Sequence, residues 1–176
     1  MKKNLFVWQL FGITFTAILG TILHFLYQWT NLTIVAPISA VNESTWEHMK
    51  LVFIPSLIFS IVQYFITGKE YRCFWLIKLI GIILATILTP VLFYTLSGSF
   101  GKLSAITNIA IFFISIFIGY LIEYFLFKSI NCKITAKLLP IIILLIVFIF
   151  FIIFTFYPPK IPLFLDPVTN GYGITK

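Results

Sequence analysis

A short polar segment, residues 42–49, concentrates three of the seven acidic and histidine side chains of this sequence. It reads Asn-Glu-Ser-Thr-Trp-Glu-His-Met and contains Glu43, Glu47 and His48, whereas the whole chain of 176 residues has only 5 acidic residues and 2 histidines. Ionisable groups in an apolar chain are costly and usually mark a functional site with a partner. The segment is therefore the first candidate for a binding or catalytic site.

Carboxylate and imidazole groups in this pattern indicate a divalent metal site. If a helix begins at Asn42, Glu43 and Glu47 stand four residues apart on one face, with His48 beside them. Two carboxylates so close repel each other unless a cation lies between them or one is protonated. Such ligands suit zinc, manganese or iron, and an open coordination position would permit hydrolysis by a metal-bound water. Glu43 and Glu47 are accordingly the candidate catalytic residues as well, although no protease signature accompanies them.

The same residues also have a structural interpretation. Ser44-Thr45-Trp46-Glu47 matches a capping box, in which the Ser44 hydroxyl accepts from the Glu47 amide and the Glu47 side chain bonds back to the capping residue. Trp46 would then be an interfacial anchor. A metal-free acid-base or substrate site is a third interpretation, and all three stay open at this stage.

His24, near the end of the first apolar segment, favours a site over a simple cap. A capping box gives this histidine no role, and burying an imidazole without a hydrogen-bond partner is costly. We expect its partner to be Glu43 or Glu47, and the ligand to be a divalent metal such as zinc, or a cationic or lipid-headgroup group. The predicted metal ligands are His24, Glu43, Glu47 and His48, and the predicted ligand-contacting residues are Asn42, Glu43, Trp46 and Asp166.

Composition defines the elements that must position these residues. The chain is 61% hydrophobic and 10% charged with a mean hydropathy of +1.10, whereas soluble domains carry about 25% charged residues. Several apolar runs reach the roughly 20 residues that a helix needs to cross a bilayer. We expect an all-α polytopic transmembrane bundle that forms one domain. Its predicted spans lie near residues 5–27, 49–67, 74–96, 104–127 and 137–156.

The distribution of Lys and Arg predicts the orientation of the bundle. A cytoplasmic amino terminus puts eight basic residues inside and four outside, in agreement with the positive-inside rule. We therefore expect an inner-membrane protein with its carboxyl terminus outside and its first span retained. The lipid bilayer is its expected partner, and no soluble basic face for nucleic acid is present. The inside residues are Lys2, Lys3, Lys69, Arg72, Lys78, Lys128, Lys133 and Lys137, and the outside residues are Lys50, Lys102, Lys160 and Lys176.

Three further expectations concern the rest of the chain. Lys78 and Glu123 lie at similar depth in their spans and should pair. Cys73 and Cys132 both fall in predicted cytoplasmic connectors, where a structural disulfide is not expected because that compartment is reducing. The proline-rich residues 157–176 should fold back over the outer mouth of the bundle.

Distinct polar motifs are spread along the whole sequence. They are His24-Phe25-x-Tyr27-x-Trp29, then Val41-Asn42-Glu43-Ser44-x-Trp46-Glu47-His48-x-Lys50-Leu51, Pro55, and Ile161-Pro162-Leu163-Phe164-x-Asp166-Pro167-Val168-x-x-x-Tyr172-Gly173-Ile174. Together they resemble an uncharacterised family of small bacterial membrane proteins, the domain-of-unknown-function family 6512. The resemblance implies a five-span bacterial inner-membrane protein and brings no activity, ligand or partner with it.

Three classes of function stay open from the sequence. The first is a pocket that binds a metal or headgroup, with hydrolysis at the membrane surface as its enzymatic extension. The second is a small transporter component, which needs a polar path from Glu43 to Glu123. The third is a non-catalytic membrane partner subunit in which residues 42–49 only cap a helix.

Overall fold

The protein is an all-α membrane bundle. The computed structural model describes residues 4–130, 132 and 137–174, so Lys2, Lys3, Lys133 and Lys176 lie outside the described residues. Five helices in the described part are long and apolar enough to cross a membrane, which confirms the predicted fold class. They are α1 (Leu5–Thr30), α2 (Thr45–Ile66), α3 (Phe74–Phe100), α4 (Ala105–Ser129) and α5 (Leu138–Phe156).

Helix α2 lies at the centre of the bundle. Its apolar window is 61% buried, against 22–39% for the other four helices, and it packs against all of them. Contacts between helix ends show that neighbouring helices run in opposite directions. The end of α1 meets the start of α2, the end of α2 meets the start of α3, and the start of α3 meets the end of α4. The end of α5 lies beside the start of α2. We call the end with His24 and His48 the histidine rim, and the end with Cys73 and Cys132 the disulfide rim.

Small residues allow α3 and α4 to pack backbone against backbone. A Cβ atom added at Gly119 would lie 2.7 Å from the Ala85 Cβ and 2.9 Å from the Gly81 carbonyl oxygen. Close approach through small side chains is a common way for helices to associate in lipid, where van der Waals packing replaces the hydrophobic effect. This close packing brings the charged residues near the start of α3 and the end of α4, on the side of the disulfide rim, within reach of each other.

Lys78 and Glu123 form a buried ion pair between α3 and α4. The Lys78 Nζ lies 2.6 Å from the Glu123 Oε2, and the two side chains are 0% and 2% exposed. The ammonium also lies 5.1 Å from the ring centroid of Tyr120 and 5.6 Å from that of Phe59. The predicted pair is confirmed, and its charge is enclosed by protein.

The cysteine prediction is wrong. Cys73 and Cys132 are joined in a disulfide, with a Cα–Cα distance of 5.8 Å, which lies in the ordinary range for such bonds. The prediction considered only the redox state of the compartment. The topology decides the outcome, because Cys73 directly precedes α3 and Cys132 follows α4, and these two antiparallel neighbours place both residues at the same rim.

Removing one member of the buried pair should destabilise the bundle. We expect Lys78→Met to lower the free energy of unfolding by about 3–5 kcal/mol, because Glu123 is left buried without its countercharge. The double variant Lys78→Met/Glu123→Leu should recover most of that loss, and the exposed Lys69→Met should change little. Denaturant-induced unfolding in detergent measures all three. A double variant as unstable as Lys78→Met would show that the pair itself is not the source of the effect.

Candidate metal site at the histidine rim

The start of α2 is fixed by its capping residue. Ser44 precedes the helix in extended conformation, and its Oγ accepts from the Glu47 backbone amide at 3.4 Å. The Ser44 amide donates to the Asn42 Oδ1 at 2.9 Å, so the return bond of a capping box, from the Glu47 side chain, is not made. The helix begins at Thr45, and Glu43 lies in the connector before it. Glu43 and Glu47 therefore do not share a helical face.

Glu47 is committed to a buried ion pair with Lys50. The Glu47 Oε2 lies 2.6 Å from the Lys50 Nζ, with side chains 2% and 0% exposed, and it also accepts from the Val41 amide at 3.2 Å. Lys50 in turn donates to the Ala36 carbonyl and to the Thr155 Oγ1, both at 2.8 Å. These bonds join α2 to the connector before it and to α5. The structure places Glu47 in this pair and not with the two histidines.

His24, Glu43 and His48 come together as a cluster, which we call the histidine cluster. The Glu43 Oε2 lies 3.6 Å from the His24 Nε2 and 3.7 Å from the His48 Nε2. One ligand atom from each residue lies within 4.8 Å of the other two. The contacts exceed the 2.7–3.2 Å of ordinary N–H···O hydrogen bonds. The three donors converge on a common centre without bonding tightly to each other.

A backbone contact fixes the orientation of the His48 ring. The Nδ1 lies 2.9 Å from the Ser44 carbonyl oxygen, which requires the proton to be on Nδ1 for a hydrogen bond to form. The Nε2 of the neutral ring then carries a free lone pair directed at Glu43. Metal-binding histidines commonly donate their second nitrogen to a carbonyl in this way.

Gly20 allows α1 to approach α2 closely enough for His24 to join the cluster. A Cβ atom at Gly20 would lie 2.7 Å from the Leu51 carbonyl oxygen, so a larger residue would force the helices apart. One turn further along α1, the Leu23 carbonyl accepts from the Ala40 amide at 3.2 Å. This bond ties the connector that carries Glu43 to the end of α1.

The environment of Glu43 favours its charged form. Interaction with the His24 imidazole lowers the pKa of the Glu43 carboxyl, against partial burial, which raises it. Glu43 makes no ion pair with lysine or arginine among the described residues, and its side chain is 35% exposed. The carboxylate is therefore ionised and available to a cation at neutral pH.

Two cavities meet at the histidine cluster. The first, of about 370 Å³, lies against α1 and α4 and contacts all three residues of the cluster. The second, of about 440 Å³, extends toward α3 and the carboxyl-terminal tail. Four residues line both cavities: Glu43, His48, Asn108 and Phe112. The histidine cluster thus borders space large enough for a ligand.

The other predicted ligand-contacting residues hold the tail on the bundle. The Asn42 Nδ2 donates to the Gly173 carbonyl at 2.8 Å. The buried Trp46 ring packs on Phe164 of the tail and on Phe151, with ring centroids 4.8 and 4.6 Å apart. None of these residues lines either cavity.

Asp166 organises a turn within the tail. Its Oδ1 accepts from the Val168 amide at 2.9 Å and its Oδ2 from the Thr169 hydroxyl at 2.7 Å, and the residue is 2% exposed. The next residues, Pro167 and Val168, line the second cavity. Asp166 therefore shapes one wall of that cavity, and its carboxylate does not enter the histidine cluster.

Comparison with known protein families shows to which family the chain belongs. The Family of unknown function (DUF6512) matches residues 1–174. The chain belongs to this family. No curated protein and no solved structure matches it, so the activity must be argued from the site.

Two residues of the DUF6512 protein that the sequence analysis did not assign to the site, Lys102 and Asn108, line its second cavity. Both lie near the start of α4, which reaches the histidine rim. The sequence feature that could have predicted their role is their position at the same end of the predicted spans as His24 and residues 42–49. Sequence spacing alone does not bring α4 beside α1.

The two glutamates of the motif should have separable roles. Glu47→Gln should lower the free energy of unfolding by about 3–5 kcal/mol, because Lys50 keeps a buried charge without a partner. Glu43→Gln should change it by less than about 1 kcal/mol, since a partly exposed pair contributes little. The free energy of unfolding of each variant and of the parent, all without metal and in the same detergent, measures the difference. Equal destabilisation would mean that Glu43 is also a structural residue.

Proposed function

We propose that the DUF6512 protein binds a divalent transition metal, with zinc as the best fit, at the histidine cluster. The proposed ligands are the Nε2 atoms of His24 and His48 and the carboxylate of Glu43. The observation that carries the proposal is the convergence of these three donors within 4.8 Å. Zinc–nitrogen bonds of about 2.0–2.1 Å give a tetrahedral edge of roughly 3.3 Å, close to the 3.6 and 3.7 Å that separate Glu43 from the two histidines.

The donor set favours a site that keeps one coordination position open. Two imidazoles and one carboxylate are typical of catalytic zinc, whereas structural zinc sites are closed by four protein ligands. In this chain the fourth predicted ligand, Glu47, is already paired with Lys50, and the cluster borders two cavities. An open position would activate a bound water for hydrolysis or accept an oxygen of a bound ligand.

We infer from the charge distribution that the histidine rim faces outward in a cytoplasmic membrane. Among the described residues, five basic residues lie toward the disulfide rim and three toward the histidine rim. The former are Lys69, Arg72, Lys78, Lys128 and Lys137, and the latter are Lys50, Lys102 and Lys160. This asymmetry supports an inward disulfide rim. The Cys73–Cys132 disulfide argues for the opposite orientation, because disulfides are rare in the reducing cytoplasm, so the inference rests on the charge distribution alone. The metal would then be taken from the external compartment.

Elemental analysis of the purified protein tests the metal proposal. We expect about one equivalent of zinc per chain in the parent after loading and dialysis. The variants His24→Asn, Glu43→Gln and His48→Asn should bind zinc more than about tenfold more weakly and retain less of it, since each removes a ligand. Glu70→Gln, which changes an exposed acid at the disulfide rim, is the matched control and should behave as the parent. Equal zinc content in the parent and all three ligand variants would disprove the site.

A parent that takes up no zinc would favour the structural alternative. The Glu43 carboxylate would then bridge the two imidazoles and hold α1 against α2, and the three variants would differ from the parent only in stability. The same samples therefore separate a metal site from a structural contact.

A further inference from the structure

We propose that the ligand of the histidine cluster is a membrane lipid with an anionic headgroup, which enters from the bilayer between α1 and α4. This inference rests on the proposed metal site and names the class of molecule that would occupy the open coordination position. It follows from the lining of the two cavities and from their charges.

The first cavity is bounded by side chains that face the membrane. Phe25 of α1 and Ile109 and Phe113 of α4 line it and are 39%, 56% and 46% exposed. Both helices are membrane spans, so these exposed apolar groups face hydrocarbon. Thr21 and Ala105, also exposed, lie on the same two helices and complete this side of the cavity. An acyl chain can therefore enter the first cavity directly from the bilayer.

The second cavity offers the polar environment that a headgroup needs. Its lining includes Lys102, Asn108 and the hydroxyl groups of Thr45 and Thr89. Lys102, Asn108 and Thr45 can donate hydrogen bonds to phosphate or carboxylate oxygens, whereas the Thr89 hydroxyl donates to the Ala85 carbonyl at 3.2 Å. A lipid lying through both cavities would place its chain in the first, its headgroup in the second, and its anionic oxygens beside the metal.

The balance of charge selects an anion. A divalent metal and the Lys102 ammonium outweigh the Glu43 carboxylate, the one acidic side chain that lines either cavity. Asp166 lies behind the tail residues that line the second cavity, and both of its carboxylate oxygens are hydrogen bonded within the tail. The open position of zinc readily takes a phosphate or carboxylate oxygen. A zwitterionic headgroup would bring an unpaired cation to the same place.

A lipid is also a better fit than a soluble anion. A soluble anion would use the second cavity only and would leave the apolar first cavity without an occupant. A lipid fills both cavities. Its acyl chain leaves the bilayer hydrocarbon and contacts Phe25, Phe112 and Phe113 instead, and no polar group loses its water in that exchange. The two sources of the anionic group are separated by the experiment below.

The test measures lipid and metal on the same zinc-loaded, full-length protein. Native mass spectrometry from detergent follows titration with phosphatidylglycerol, with phosphatidylcholine of the same acyl chains, and with glycerol phosphate as the free headgroup. Zinc is counted in each spectrum. We expect one phosphatidylglycerol to bind about tenfold more tightly than either of the other two.

Matched variants locate the lipid without touching the metal ligands. Ala105→Trp places a large ring at the membrane side of the first cavity, whereas Ala110→Trp changes another exposed residue of α4 that lines neither cavity. We expect Ala105→Trp to weaken phosphatidylglycerol binding about tenfold, with zinc retained, and Ala110→Trp to bind as the parent. Lys102→Gln should lose the preference over phosphatidylcholine, and Lys160→Gln, in the exposed tail, should keep it.

The outcomes distinguish failure of the lipid inference from failure of the metal site. Zinc retained in every variant, with equal phosphatidylglycerol binding in Ala105→Trp and Ala110→Trp, would overturn the lipid inference alone. Equal binding of glycerol phosphate would identify a soluble anion in place of a lipid. A parent without zinc would overturn the proposed function, and the lipid inference with it.

Discussion

The buried pair of Glu47 and Lys50 is the interaction on which the histidine rim depends. It joins α2 to the preceding connector through the Val41 amide and the Ala36 carbonyl, and to α5 through Thr155. Because Lys50 neutralises Glu47 inside the bundle, Glu43 is left in the connector with no lysine or arginine partner among the described residues. The protein thereby separates two like charges, and the one that stays partly exposed becomes available to a metal.

Much of the fold follows from the sequence, because apolar runs long enough to cross a bilayer have few alternatives to helices. The Ser44 cap and the Lys78–Glu123 pair were also predictable, since each depends on local spacing or on the cost of an unpaired buried charge. The division of roles between Glu43 and Glu47 was not. It depends on where α2 begins and on Lys50 reaching Ala36 and Thr155, and spacing in one helix does not contain those contacts.

The site also depends on contacts between helices distant in sequence. Gly20 brings α1 against the backbone of α2, so that His24 reaches a cluster otherwise supplied by α2 and its connector. Helix α4 adds Asn108 and the apolar walls of the first cavity, and the same packing of α3 on α4 aligns Cys73 with Cys132 at the opposite rim. These relations arise from tertiary packing, which explains why neither the disulfide nor the cavity lining was predicted.

The resulting arrangement places one carboxylate and two imidazole nitrogens at the histidine rim, beside an apolar cavity. X-ray absorption at the zinc edge of the loaded protein tests this account most directly. The proposed site predicts two imidazole nitrogens, with oxygen as the remaining ligands, all at about 2.0–2.1 Å from zinc. One imidazole should be lost in His48→Asn. A spectrum with sulfur ligands, or with an imidazole signal unchanged in His48→Asn, would contradict it.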